Sequence, residues 1–261
     1  MKVVVCIKQV PETPTLEIDP QTNTLIRARG KMIINPFDMY ALEEGIRLKE
    51  QYGGQATAIS MGPPEAQEAL REAIAFGIDN AIILSDPILD GCDTLATSYV
   101  LAKAINKLGQ PDIIICGRQT TDGDTGQVAP QLAEWLGLPF ASYVSKIEEV
   151  REGRMRLQRM VDSGHQVIEM PLPAVISVVK EINLPRLPSL RGLMQSKKAP
   201  IPTWSARDLA VDASKVGLAG SATKVKMVFF PQREGGSELL QGSPESQVDQ
   251  LLEKLREAKV I

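Results

Sequence analysis

The chain has 261 residues, 43% of them apolar, and a formal net charge of −3. This is enough apolar material for one large core, and so mild an acidity leaves no basic face for nucleic acid or an anionic membrane. Only Val3 to Ile7 form an apolar run before Lys8, and no later run approaches the roughly 18 residues of a membrane span, so a cytoplasmic protein without membrane insertion is expected.

The Val-rich run Lys2 to Ile7 reads as a buried parallel strand, with Lys8-Gln9-Val10-Pro11 at its carboxyl end. Residues 12–34 read as an excursion with a hairpin at Asp19 to Asn23, where turn formers separate two alternating stretches. A helix start follows. Asn35 is placed to cap, Pro36 to occupy the first helical position, and Asp38 to put its charge against the helix dipole; Met39, Leu42 and Ile46 make the buried stripe. The next units repeat the pattern. Ala56 to Met61 is a strand, Gly62-Pro63-Pro64 a turn, Glu65 to Phe76 a helix ended by Gly77, and Ala81 to Leu84 a third strand. After Asp90-Gly-Cys comes a helix capped by Asp93, with Leu95, Leu101, Ala102, Ile105 and Leu108 expected to point inward until Gly109.

Residues 112–137 carry the sharpest signal. An apolar run ending at Cys116 breaks into the Gly/Asp/Thr loop from Gly117, and the loop feeds a helix with Val128, Leu132, Trp135 and Leu136 at helical spacing. Pro130 is tolerable only in a first turn, which starts that helix near Gly126 or Gln127. At the carboxyl edge of a parallel strand, such a helix N-terminus offers unpaired N–H groups to a phosphate, making the loop the first candidate nucleotide site. It contains neither GxGxxG nor GxxxxGK[ST]. A calcium loop starting at Asp122 is excluded by Gly126 and Ala133, which stand where Asp or Asn and Glu are required. The plain alternative makes Asp122 and Asp124 turn and cap residues of an ordinary βα loop.

Strands alternating with helices imply right-handed crossovers, hence an α/β Rossmann-like fold: a mostly parallel sheet with helices on both faces. From about residue 140 the pattern changes to short strands at 141–150, 155–161, 166–170 and 174–179, read as hairpins extending the same sheet. The domain organisation expected is a nucleotide-binding domain over 1–182, a Pro/Leu docking loop over 183–204, and a C-terminal extension over 205–261 that packs on a partner subunit. Exposed leucines among the prolines of 184–202 suggest a docking peptide, against the alternative that the segment folds back on its own domain. Val248 to Ala258 reads as a small terminal helix. Cys6, Cys92 and Cys116 form no CxxC, and a single histidine, His165, leaves no zinc set and no Ser-His-Asp arrangement. No metal and no catalytic side chain is expected; a bound cofactor must carry any electrons or hydride.

Several segments in order resemble the beta subunit of electron-transfer flavoproteins along essentially the whole chain: VVVCIKQVP at the start, INPFD at 34–38, SMGPP at 60–64, GRQTTDGDTGQVAPQLAEWLGLP at 117–139, LQRMVDSGHQVIEMPLPAVISV at 157–178 and NLPRLPSLRGLMQSKK at 183–198. Ser163 and Ser177 depart mildly from the family pattern. The resemblance implies a heterodimer with a flavin-carrying alpha subunit. It also implies a nucleotide pocket at Cys6, Lys8 and Val10; Asn35, Pro36, Phe37 and Asp38; Met61 and Gly62; and, along the loop, Gly117, Arg118, Gln119, Asp122, Gly123, Asp124, Thr125, Gly126, Gln127 and Val128. Housekeeping members hold AMP there; electron-bifurcating members hold a second FAD. The short loop DGDTGQV, together with Asp93, Thr94 and Thr97, is similar to the bifurcating form. That form implies hydride from NADH, with one electron passing toward the alpha-subunit FAD and a flavin dehydrogenase such as an acyl-CoA dehydrogenase, and the other toward ferredoxin or flavodoxin. The resemblance makes Leu190 the anchor docked on the dehydrogenase. A rival reading, an ATP-binding regulatory protein of the stress-protein type, shares the sheet architecture but usually carries a Gly-rich phosphate loop.

Overall fold

Three consecutive β-branched side chains, Val3 to Val5, head a strand with both faces covered, and the rest of the sheet is built outward from it in the computed structural model, which describes residues 1–12, 17–18, 25–26, 31–226 and 238–261. The elements of the first half are β1 (Lys2–Cys6), β2 (Gln9–Pro11), β3 (Glu17–Ile18), β4 (Leu25–Ile26), β5 (Met32–Ile34), α1 (Pro36–Tyr52), β6 (Gln55–Met61), α2 (Gln67–Phe76), β7 (Asn80–Leu84), α3 (Thr94–Leu108), β8 (Ile113–Gly117) and α4 (Val128–Leu136). Then follow β9 (Phe140–Arg151), β10 (Arg154–Val161), β11 (Gly164–Pro171), β12 (Ala174–Val178), α5 (Leu190–Lys198), β13 (Thr203–Trp204), α6 (Gly217–Gly220) and α7 (Pro244–Glu257).

The main sheet has the order β11-β10-β9-β12-β8-β1-β6-β7-β13. All pairs from β9 through β13 are parallel, and β10 and β11 add the antiparallel hairpins anticipated after residue 140. Alternation along the strands separates two cores. Val3, Val5, Ile113 and Ile115 pack with Leu42, Ile46 and Leu70 of α1 and α2; Val4, Cys6, Ile114 and Cys116 pack with Val100, Ile105 and Leu132 of α3 and α4. Each fully buried isoleucine of β8 contributes about 2–3 kcal/mol by removal from water, so this central strand anchors both layers.

Local signals set the helix ends. Asp93 caps α3 by accepting from the N–H groups of Leu95 and Ala96, Gly77 and Gly109 end α2 and α3, and Gly137 ends α4 in the left-handed conformation. A 3₁₀ turn over Pro64–Ala66 precedes α2, and α4 starts at Val128 with Gln127 before it. Two expectations are corrected here. Leu95, expected inward, is 36% exposed because the inward face of the first turn of α3 is the one carrying Ala96, which is 1% exposed; Met39 is only partly buried beside Leu42 and Ile46. The turn expected at Asp19 to Asn23 lies outside the described residues, while β3 and β4 on either side pair antiparallel.

Contacts divide the chain into a unit over Met1–Val225 and a unit over Lys226–Ile261. The second contains α7, capped by Ser243 and carrying an ion pair from Lys254 to Glu238 at 2.7 Å, with Leu251 and Leu252 exposed. Among the described residues no helix is long and apolar enough to cross a membrane.

Candidate functional site

From β1 the chain moves to β6 and then β7 on one side, while β8 returns to pair on the other side of β1. The order therefore reverses between β1 and β8, and at such a switch point the two crossovers splay apart and leave a crevice at the carboxyl ends of the strands. Cys6 and Cys116 face each other in register there, and Lys8 and Gly117 follow them. α1 and α4 both start beside this crevice.

The crevice is knitted by residues far apart in sequence. The Asn35 N–H donates to the Lys8 carbonyl at 2.8 Å. Its side chain makes no cap bond; instead the amide donates to the Gln119 carbonyl at 2.8 Å and its oxygen accepts from the Thr121 N–H at 3.2 Å. The expected capping role of Asn35 is thus corrected: the loop after β8 competes for the side chain and wins, since both amide groups are satisfied there.

Asp38 is also placed differently from expectation. Its carboxylate is 5% exposed and accepts from the Lys8 N–H at 2.8 Å. Gly117 lies against it: a Cβ there would fall 2.2 Å from Asp38 Oδ1. Burial pushes the carboxyl up to about 7, only partly opposed by the N–H of Lys8, the side chain of Asn35, the N–H of Gly117 and the Lys8 charge. A full charge against the helix dipole is therefore not maintained at neutral pH. Because the folded carboxyl keeps its proton to a higher pH than the unfolded one, it lowers stability as pH rises from 3.8 to about 7.

The loop from Gly117 to Gln127 is braced internally. Lys8 Nζ pairs with Asp122 at 2.6 Å, and this bond and charge hold the Asp122 carboxyl below the usual range against the opposing effect of burial. Gln119 donates to Asp124, and the Asp124 N–H donates to the Thr120 carbonyl at 2.9 Å. Asp124 and Gly126 both adopt positive φ, the turn that brings the chain into α4; a Cβ on Gly126 would approach the Arg118 carbonyl at 3.3 Å. The Arg118 guanidinium lies 5.9 Å from the Phe37 ring and 5.2 Å from the Tyr143 ring, and its Nε donates to Gln119 at 2.7 Å. Tyr143 reaches that position from a positive φ beside a register shift between β9 and β12.

Not every expected residue joins this network. Val10 is wholly buried in the β2–β5 pair, and Met61 ends β6 with Gly62 after it, the Gly62 N–H donating to the Leu84 carbonyl at 3.1 Å. Asp93, Thr94 and Thr97 stand at the start of α3, after β7, on the same edge but bonded elsewhere. Asp93 accepts from Thr223 N–H at 2.9 Å and Thr223 Oγ1 at 3.1 Å, and its own N–H donates to Ser221 Oγ at 2.8 Å. Burial would raise the Asp93 carboxyl, but the N–H groups of Ala96 and Thr223 hold it below the usual range. Ser221, Thr223 and Tyr143 had no sequence signal: their roles depend on which distant segment arrives beside them.

A nucleotide suits this arrangement. α1 and α4 begin without side-chain caps; Pro36 and Pro130 have no N–H and the Asp38 N–H donates to the Asn35 carbonyl at 2.8 Å, which leaves Phe37 of α1 and Val128 and Ala129 of α4 as first-turn N–H groups for an anion at the positive ends of the two helices. The carboxylates of Asp122 and Asp124 are tied to Lys8 and Gln119, which removes them as competitors for those donors. One turn into α4, Gln131 Oε1 is buried with no hydrogen-bond partner among the described residues.

The Pro/Leu segment does two things at once. Arg186 binds Glu43 at 2.8 Å and Glu50 at 2.7 Å, Asn183 binds Glu44 at 3.0 Å, and Arg71 donates to the Ser196 carbonyl at 2.9 Å, so its backbone is fastened to α1 and α2. Yet Leu184, Leu187 and Leu190 are each more than 80% exposed and Met194 is 70% exposed. The segment is anchored with its apolar side chains outward.

A family model described as "Electron transfer flavoprotein domain" matches residues 22–209. The chain is similar to the electron transfer flavoprotein subunit beta of Thermoanaerobacterium thermosaccharolyticum, 45% identical over 262 residues and covering 100% of both chains. It is similar to Protein FixA of Azorhizobium caulinodans, 44% identical over 238 residues, 88% of this chain and 85% of that one. It is also similar to the caffeyl-CoA reductase-Etf complex subunit CarD of Acetobacterium woodii, 40% identical over 263 residues with 100% of both chains covered.

Proposed function

The chain belongs to the electron transfer flavoprotein family as a beta subunit, paired with an alpha subunit, and on that premise we propose that its β1/β8 crevice binds FAD and serves electron bifurcation. The observation that supports this reading is the convergence of two uncapped helix starts and a glycine-bearing loop on the switch point of the sheet. The family assignment leaves no place for the ATP-binding regulatory alternative. When bound, FAD would supply hydride acceptance from NADH and single-electron transfer toward the alpha-subunit FAD and toward ferredoxin or flavodoxin.

This chain's residues would do the holding. The N–H groups of Phe37 in α1 and of Val128 and Ala129 in α4 would receive the pyrophosphate, and Asn35 would keep the loop closed by its two bonds to Gln119 and Thr121. Arg118, Asp93, Thr94 and Thr97 would border the ring system, with Arg118 oriented by Phe37 and Tyr143. Leu190 would dock a flavin dehydrogenase; the similar subunit CarD is named for a complex with caffeyl-CoA reductase, which supports a dehydrogenase partner of acyl-CoA type.

The test is anaerobic titration of the heterodimer with NADH, followed in the flavin absorbance band. Bleaching of both flavins before a dehydrogenase is added is the expected result. A spectrum unmoved by excess NADH, yet bleached by a reduced dehydrogenase, would refute the bifurcating function.

A further inference from the structure

Asp38 joins three elements at one carboxyl group. It stands in the first turn of α1, accepts from the Lys8 N–H beyond β1, and lies against Gly117 at the end of β8. Among the described residues nothing around it supplies a dedicated counter-charge. From the β1 side, the Lys8 ammonium is committed to Asp122 at 2.6 Å, and Cys6 brings a thiol. From the β8 side, Cys116 brings a second buried thiol, which its contact with Cys6 and its own burial push up, so it is uncharged at neutral pH. In the loop, Arg118 is taken up by Gln119 and by the rings of Phe37 and Tyr143. An anion arriving at the start of α1 therefore meets a carboxyl that is buried and, among the described residues, without a cation of its own.

We propose, building on the nucleotide reading of this crevice, that Asp38 is a proton-holding positioning residue: it clamps α1 to the ends of β1 and β8, and binding of a pyrophosphate-bearing nucleotide requires it to hold a proton. The balance is one proton taken from solvent onto Asp38 for each nucleotide bound when the free site is ionised. Two negative groups in one low-dielectric crevice repel strongly, whereas the neutral acid both removes the repulsion and retains an oxygen to accept from Lys8. The burial-driven rise of this carboxyl to about 7 places the exchange in the neutral range.

The experiment uses the heterodimer that keeps its alpha-subunit FAD, depleted of the crevice nucleotide and rebound with one equivalent of FAD, because a pyrophosphate diester has no ionisation near pH 6, unlike a monoester such as AMP. For the wild type, the dissociation constant is expected to rise by up to about tenfold per pH unit above pH 7, the limit for one linked proton. The Asp38→Asn protein is expected to bind with a flat profile across the same range. Calorimetry of the wild type at pH 8 in two buffers of different ionisation enthalpy gives the second readout, with uptake of close to one proton per FAD expected, and it needs no variant to fold. FAD binding with equal pH dependence in both proteins, or without proton uptake, would overturn the proton role and leave the nucleotide reading intact. Absence of any FAD binding beyond the alpha-subunit FAD at every pH would overturn both.

Discussion

Replacing Gly117 by alanine should unfold the crevice before it affects anything else. The new Cβ would lie 2.2 Å from Asp38 Oδ1, 2.8 Å from the Phe37 carbonyl carbon and 2.9 Å from the Asp38 N. Two of those three atoms are backbone at the start of α1, which is fixed by the Lys8 and Asn35 bonds, so no side-chain rotation relieves the clash. A loss of about 3 kcal/mol and a melting temperature lower by about 8 °C are expected, together with loss of the bound nucleotide. Gly123→Ala is the control within the same loop, since a Cβ there meets only Thr120 Oγ1 at 3.4 Å; its stability should stay within about 0.5 kcal/mol of the parent. Thermal melts and nucleotide release measured side by side check both. Equal melting of the two variants would show that α1 is not pressed onto β8 as described.

Replacing Leu190 by alanine should have the opposite profile, a large functional loss without structural cost. Leu190 is 82% exposed at the start of α5, whose position is set by Ser189 accepting from the Gly192 N–H at 3.0 Å and by close approach of Gly192 to the Ala75 carbonyl. The side chain is thus presented by a fastened backbone and carries almost no burial of its own. If it anchors the dehydrogenase, truncation removes a central apolar contact of about 2 kcal/mol, and electron delivery to the dehydrogenase should fall more than tenfold at subsaturating partner. Melting temperature and flavin content should be unchanged. An unaltered rate would remove the docking role, and loss of flavin would mean that the leucine supports its own domain.

These two residues also mark how far the chain could be read without coordinates. The alternation of β and α elements, the Asp93 cap and the glycine stops at 77, 109 and 137 were legible because each is a bond or turn closed within four residues. The crevice was legible as a place, because a parallel strand must end in a loop and the Gly/Asp/Thr composition marked that loop. Its internal bonding was not. Asn35 has the composition of a cap, and only the arrival of residues 119–121, 84 to 86 positions later, redirects its amide. Asp38 reads as a first-turn acid set against the helix dipole, and only the packing of Gly117 against it makes it a buried one. The strap formed by Ser221 and Thr223 over Asp93 comes from a stretch with no periodicity, where pattern reading has no purchase. Local chemistry predicted the elements; the long-range contacts decided what the side chains in them do.

The central claim is that the crevice between β1 and β8 holds FAD, and the nucleotide inventory of the protein copurified with its alpha partner tests it most directly. Released ligands separated by chromatography and quantified by visible absorbance should amount to two FAD per heterodimer. One FAD and one AMP per heterodimer would contradict the account and make the protein a simple electron carrier whose Asp122 to Val128 loop encloses a structural nucleotide.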